Sequence, residues 1–252
     1  MAKNNHFDIL DSELREQGAG MPAGAESLIS GYRNIAQGYA EMEQCVAVLS
    51  DLVNMRSYIY YGAFAERMSI GQRGRCEVVE SIWERGLLSH VHPDDLQMKF
   101  SLEHVFYNKV SGLGEGMRRY MLASKIRLCD GEGRYHLSMH RMMYVPHPLG
   151  ETVQFALCLY GPNIGGGEAA AIVDNVTGEM EVLDRDGVPN LLSDRECEVL
   201  RMVSDGLTSD EISDRLHISR NTVNRHRQNV RAKLNVRNSA EALRVARDFG
   251  LI

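Results

Sequence analysis

Between Arg215 and Ala240 the chain has no aspartate or glutamate, while Arg220, Arg225, Arg227, Arg231, Lys233 and Arg237 place six cations within eighteen residues. Interleaved with them stand Asn221, Asn224 and Gln228. Guanidinium and carboxamide groups make paired hydrogen bonds to base edges, arginine to guanine and asparagine or glutamine to adenine. The chemistry on offer is therefore nucleic-acid recognition, with a helix entering the major groove N-terminal half first.

Two helices and a tight turn must position these groups. Thr208 with Glu211 three residues later forms a capping-box pattern, and Ile212 and Leu216 supply one turn of apolar face. After His217 and Ile218, Ser219 can cap a second helix whose Val223, Val230 and Leu234 share one face at spacings of seven and four. Asn221, Asn224, Arg225 and Gln228 stand opposite Val223 and Val230 and are the expected base contacts. Arg220, Thr222, His226, Arg227, Arg231 and Lys233 are expected to hold phosphates, which fixes register without reading sequence. For an isolated helix of this composition a solvated basic face is the plainer reading, and His226 also reads as a core-edge residue.

Two further helices flank this pair. Asp194 to Ser204 has Ser193 as cap, Glu196 as box partner and Gly206 as terminator; Ser239 to Phe249 has Asn238 as cap. In the last, Ala242, Val245, Ala246 and Phe249 recur at i, i+3, i+4 and i+7. That stripe suits packing on a twin helix from a second chain, or packing within its own domain.

Leu191 to Ile252 resembles the DNA-binding domain of LuxR-type (FixJ/NarL-like) transcription regulators. The resemblance runs through LLSDRECEVL at 191 to 200, Gly206, Glu211-Ile212, Ser219, Thr222-Val223, His226, Lys233-Leu234, Glu241-Ala242 and Gly250-Leu251. Asp210 departs from it, since the family often has a basic residue there. What the resemblance implies is an all-α four-helix helix-turn-helix domain with base contact at Asn224, Arg225 and Gln228. Its implied partners are double-stranded DNA, a second copy joined through the final helix, and RNA polymerase.

The whole chain, 252 residues and 44% hydrophobic, fits two modest domains. Residues 191–252 hold eleven Lys/Arg and nine Asp/Glu, a balance of +2; the remaining 17 against 25 leaves the front part at −8. Only the tail favours nucleic acid, and an acidic front part confines contact with the duplex to one surface. There is no signal-peptide core and no apolar run of eighteen residues, so the expected location is the cytoplasm, with no membrane partner. Cys45, Cys76, Cys129, Cys158 and Cys197 are far apart, without a C-x-x-C pair, and read as buried free thiols.

Residues 1–22 read as a flexible tail. In the domain expected over 23–162, Ala23 to Gln44 has a helical pattern, Val46 to Leu52 and Ser57 to Phe64 suggest a hairpin, and Ile82 to Leu88 and Asp94 to Val110 look helical. Tyr120 to Cys129 and Tyr135 to Val145 flank an Asp-Gly-Glu-Gly turn, and Thr152 to Tyr160 follows. The order is α+β. It resembles a PAS domain at His92-Pro93-Asp94-Asp95, at Lys125-Ile126-Arg127 and at the strand Gln154 to Tyr160. That resemblance implies a five-stranded antiparallel sheet cupping a small cavity, used for sensing or dimerisation. Residues 163–190 read as a linker with a small hairpin, Ala170 to Asp174 and Met180 to Leu183, preceding the domain at 191–252.

Several other functions lack their residues. Val46 to Asp51 could be a receiver strand ending in a phosphorylatable aspartate, which would make the chain a phosphorylation-controlled response regulator, but the alternating strand-helix units of a receiver are missing. A PAS cavity could take a small apolar or aromatic molecule, with no metal, flavin or haem motif to name it; His136 and His140 are too far apart on one strand to share a metal easily. The Gly165-Gly166-Gly167 run lacks the Lys-Ser/Thr of a phosphate loop. No catalytic set assembles, so an enzyme is not expected. The remaining alternative is an adaptor whose basic helix binds an acidic protein.

Overall fold

Alternating burial along residues 120–144, and continuous burial along 153–160, build the centre of the molecule. In the computed structural model, which describes residues 6–18, 26–148, 152–163, 169–183, 192–233, 236 and 238–248, eight strands form one antiparallel sheet. They are β1 (Val46–Asp51), β2 (Arg56–Tyr61), β3 (Cys76–Val79), β4 (Tyr120–Cys129), β5 (Tyr135–Pro146), β6 (Val153–Pro162), β7 (Ala170–Asp174) and β8 (Met180–Val182), in the order β3-β2-β1-β6-β5-β4-β7-β8. The run β2-β1-β6-β5-β4 is the antiparallel sheet the PAS resemblance implied. β3 extends one edge and β7-β8 the other.

Helices cover both faces of the centre. α1 (His6–Gly18) and α5 (Pro93–Val110) lie on one side, over Val48, Met142, Tyr144, Cys158 and Tyr160. α2 (Glu26–Met42) lies on the other, setting Ala36 and Ala40 against Ala47, Leu49, Phe155, Leu157 and Leu159. Burial on both faces is why β6 reads as a continuous apolar run from Phe155 to Tyr160. Asp95 ties α5 to β4, with Oδ1 accepting from Arg127 Nη2 at 2.8 Å and Oδ2 from Arg127 Nε at 2.9 Å. Two short helices, α3 (Ala63–Arg67) and α4 (Arg85–Leu88), and a 3-10 turn at Gly114–Arg119 complete this unit.

Four expectations need correction, and the receiver alternative falls with them. The segment read as a flexible tail contains α1, whose Phe7, Leu10 and Leu14 are buried and whose Asp11 accepts from Trp83 Nε1 at 2.7 Å. An i, i+3, i+7 apolar spacing lay within that polar composition. The presumed linker hairpin is part of the main sheet, because β7 pairs with β4 from Tyr120↔Asp174 to Ser124↔Ala170. Ile82 to Leu88 is helical only from Arg85, and an edge strand, β3, precedes it. Of the five thiols, Cys76 is exposed on that edge and Cys129 half-buried. Asp51 is no phosphorylation site: it is buried in an antiparallel strand, with Oδ1 accepting from the N–H groups of Val53 and Asn54 and Oδ2 from Asn54 Nδ2. The glycine run at 165–167 lies outside the described residues.

Candidate nucleic-acid interface

Four helices make the C-terminal unit: α6 (Asp194–Ser204), α7 (Ser209–Leu216), α8 (Arg220–Lys233) and α9 (Ser239–Asp248). Both capping boxes form. Ser193 Oγ accepts from Glu196 N at 3.3 Å while Glu196 Oε2 accepts from Ser193 N at 2.8 Å, and Thr208 and Glu211 repeat the arrangement at 3.3 and 2.8 Å. Those donors, the Thr208 backbone first, hold the Glu211 carboxyl below its ordinary pKa. α7 ends at His217, whose left-handed φ of 53° reverses the chain, and Ser219 Oγ then accepts from Thr222 N at 3.1 Å to start α8.

Val199, Ile212 and Val223 bury themselves together where α6, α7 and α8 meet, and Val230 is buried two turns further along. Fixing that face turns the opposite one to solvent. Asn221, Asn224, Arg225 and Gln228 are all exposed along it, together with Arg220. Asn224 is held from behind, its Oδ1 accepting from Ser209 Oγ at 3.0 Å. Arg220 lies 3.2 Å from Asp210, in an exposed pair that contributes little.

The residues expected to hold phosphate divide. Arg220 is free to turn outward, and Thr222 and Arg231 are half-buried at the margins of α8. Arg227 is engaged inside the unit, donating from Nη1 to Ser209 Oγ at 2.9 Å and from Nη2 to Ser239 Oγ at 3.3 Å. His226 is half-buried, and its Nδ1 is enclosed without a hydrogen-bond partner. The Lys233 side chain lies outside the described residues. On α9, Ala242 and Ala246 are buried within this chain, so that part of the stripe has no face left for a twin helix. The Val245 side chain and Phe249 lie outside the described residues.

An exposed amide and guanidinium row on the second helix of a capped pair is the arrangement that suggested the resemblance, and residues 190–246 match the family model described as bacterial regulatory proteins, luxR family. The chain carries a LuxR-family domain. Over 62 residues it is 40% identical to an uncharacterized response regulatory protein, YgeK, of Escherichia coli (strain K12), covering 25% of this chain and 42% of that protein. Over 60 residues it is 45% identical to the regulatory protein SdiA of the same strain and 40% identical to the transcriptional activator protein PhzR of Pseudomonas fluorescens. Each of these two matches covers 24% of this chain and 25% of the relative. All three matches span less than half of the relatives and concern the LuxR-family domain.

Likenesses to solved structures extend over the whole chain but are loose. A phage VqmA–DPO complex covers 90% of both chains at 15% identity and a TM-score of 0.28, and SdiA in complex with octanoyl-rac-glycerol covers 99% of this chain and 98% of its own at 17% and 0.28. No geometry transfers from superpositions of that quality. Outside the LuxR-family domain, none of the described helices is long and apolar enough to cross a membrane, and the same holds within it.

Proposed function

We propose that this chain is a sequence-specific DNA-binding transcription regulator, with α8 as the helix that reads the major groove. One observation carries the reading: Asn221, Asn224, Arg225 and Gln228 share the exposed face of α8 while Val223 and Val230 anchor the opposite face. These four side chains carry the donors and acceptors that distinguish base pairs. Arg220, Thr222 and Arg231 flank them and hold phosphates, with Lys233 one turn beyond Asn229 in sequence. Arg227 and His226 support the helix instead.

The α+β front unit acts as the sensing or dimerising module, and a homodimer in the cytoplasm that recruits RNA polymerase is the working form. Its N-terminal boundary includes α1, and its C-terminal boundary follows β8. Dimer contact falls outside Ala242 and Ala246.

The intact chain selected against a pool of random duplexes tests this. Expected is enrichment of a subset of sequences built from two half-sites about one helical turn or a multiple of it apart, with affinity falling steeply as salt rises. Retention of an acidic protein, with no preference among duplexes, would support the adaptor reading instead.

A further inference from the structure

The inner face of the sheet carries ionisable groups that DNA reading leaves unused. Glu103 on α5, His140 on β5 and Cys158 on β6 are all buried, and one ligand atom from each lies within 4.8 Å of the other two. Register brings the strand residues together: His140 pairs with Tyr160 and Met142 with Cys158, so His140 and Cys158 are diagonal neighbours on one face. α5 lays Glu103 across them.

His140 is oriented as a ligand. Its Nδ1 lies 3.2 Å from Ser124 Oγ, while its buried Nε2 has no hydrogen-bond partner and faces Glu103 Oε1 at 3.5 Å. With the Nδ1 hydrogen donated to Ser124, Nε2 presents its lone pair. Metal-bound histidines have this outer partner on the second nitrogen.

Lys99 donates to Glu103 Oε1 at 2.7 Å, and Glu84 is the second carboxylate beside it. The adjoining cavity, apolar in most of its lining but reached by Ser50, Glu84, Lys99, Glu103 and Cys158, measures about 20 Å³. That admits one water or one ion, and is too small for an aromatic ring.

We infer that Glu103, His140 and Cys158 form a divalent transition-metal site of the zinc class inside the front unit. Carboxylate, imidazole and thiolate donors together select a borderline cation over magnesium or calcium. On binding, the S–H bond of Cys158 breaks, the proton leaves to solvent and a metal–sulfur bond forms. Tetrahedral bonds of about 2.0–2.3 Å need the donors roughly 3–4 Å apart, an adjustment within reach of side-chain rotation. The site stands or falls independently of the DNA reading.

Chelator-stripped full-length protein titrated with Co²⁺, a coloured stand-in for Zn²⁺, tests it. Expected are one equivalent bound per chain and a thiolate-to-cobalt charge-transfer band that Zn²⁺ abolishes. Cys76→Ser, which removes the exposed thiol, keeps the band; Cys158→Ser loses it; Ser124→Ala, with all three ligands intact, binds roughly 10–100-fold more weakly. Absence of the band in the wild type, its loss in Cys76→Ser, or its survival in Cys158→Ser overturns the site. Should Cys158→Ser not fold by circular dichroism, the wild type and Ser124→Ala decide, and undiminished affinity in Ser124→Ala overturns it.

Discussion

Ser209 Oγ on α7 donates to Asn224 Oδ1 on α8 at 3.0 Å, and the same oxygen accepts from Arg227 Nη1 at 2.9 Å. One hydroxyl thus joins a group that faces solvent to one that faces inward, and the two arginine and asparagine substitutions should separate cleanly. Asn224→Ala is expected to leave stability nearly unchanged and to relax base preference by roughly 1–3 kcal/mol. Arg227→Ala loses hydrogen bonds to both Ser209 and Ser239 and is expected to destabilise the chain by about 1–2 kcal/mol. Denaturant melts beside binding to preferred and random duplexes measure both. Arg227→Ala melting like wild type while binding every duplex more weakly would return it to the phosphate contacts.

Arg225 and Arg231 lie six residues apart on α8, the first exposed and the second half-buried at its margin. Arg225→Ala is expected to cost roughly 1–3 kcal/mol on the preferred site only, whereas Arg231→Ala weakens all sequences alike and lowers the salt slope by about one. Equal losses of Arg225→Ala on specific and random DNA contradict the assignment.

Leu10, fully buried in α1, distinguishes a docked helix from a tail. Leu10→Ala is expected to destabilise the front unit by about 2–5 kcal/mol, through lost burial and the cavity it leaves beside Leu14. Urea unfolding followed by Trp83 fluorescence reads this directly, since Trp83 Nε1 bonds Asp11 on the same helix. An unchanged midpoint would mean that α1 contributes no packing.

At the β4–β5 turn Asp130 accepts from His136 Nε2 at 2.7 Å and from the N–H groups of Arg134 and Glu132 at 3.0 and 2.9 Å. These donors, His136 foremost, hold its carboxyl well below the ordinary carboxylate range. A carboxyl depressed in the fold contributes stability above its unfolded pKa of about 3.9 and loses it as pH falls through the folded value. Asp130→Asn should therefore melt below wild type at neutral pH, with the gap closing as pH drops below roughly 4. A gap that stays constant through acid titration removes the carboxylate from the explanation.

Local chemistry sufficed wherever one element carried its own signal. Ser193-x-x-Glu196 and Thr208-x-x-Glu211 announced two helix starts, and the Asp-Gly-Glu-Gly turn announced the β4–β5 hairpin, because each acts over four residues. The face that bears Asn221, Asn224, Arg225 and Gln228 was legible for the same reason: Val223 and Val230, seven apart on one helix, fix which side is hidden. Composition misled at the N-terminus, where the polar residues of α1 outnumber the three apolar ones that dock it.

What only tertiary structure decided are the contacts between distant parts. Whether Arg227 serves phosphate or two serines depends on where α7 and α9 lie, and no spacing within α8 carries that information. Nor could spacing join β7 to β4, because a hairpin reads the same alone as against a sheet edge. Glu103, His140 and Cys158 are brought together by the pairing of β5 with β6 and by the seat of α5 above them. In the chain they are three ordinary residues; only the fold, which buries them side by side, makes them a cluster.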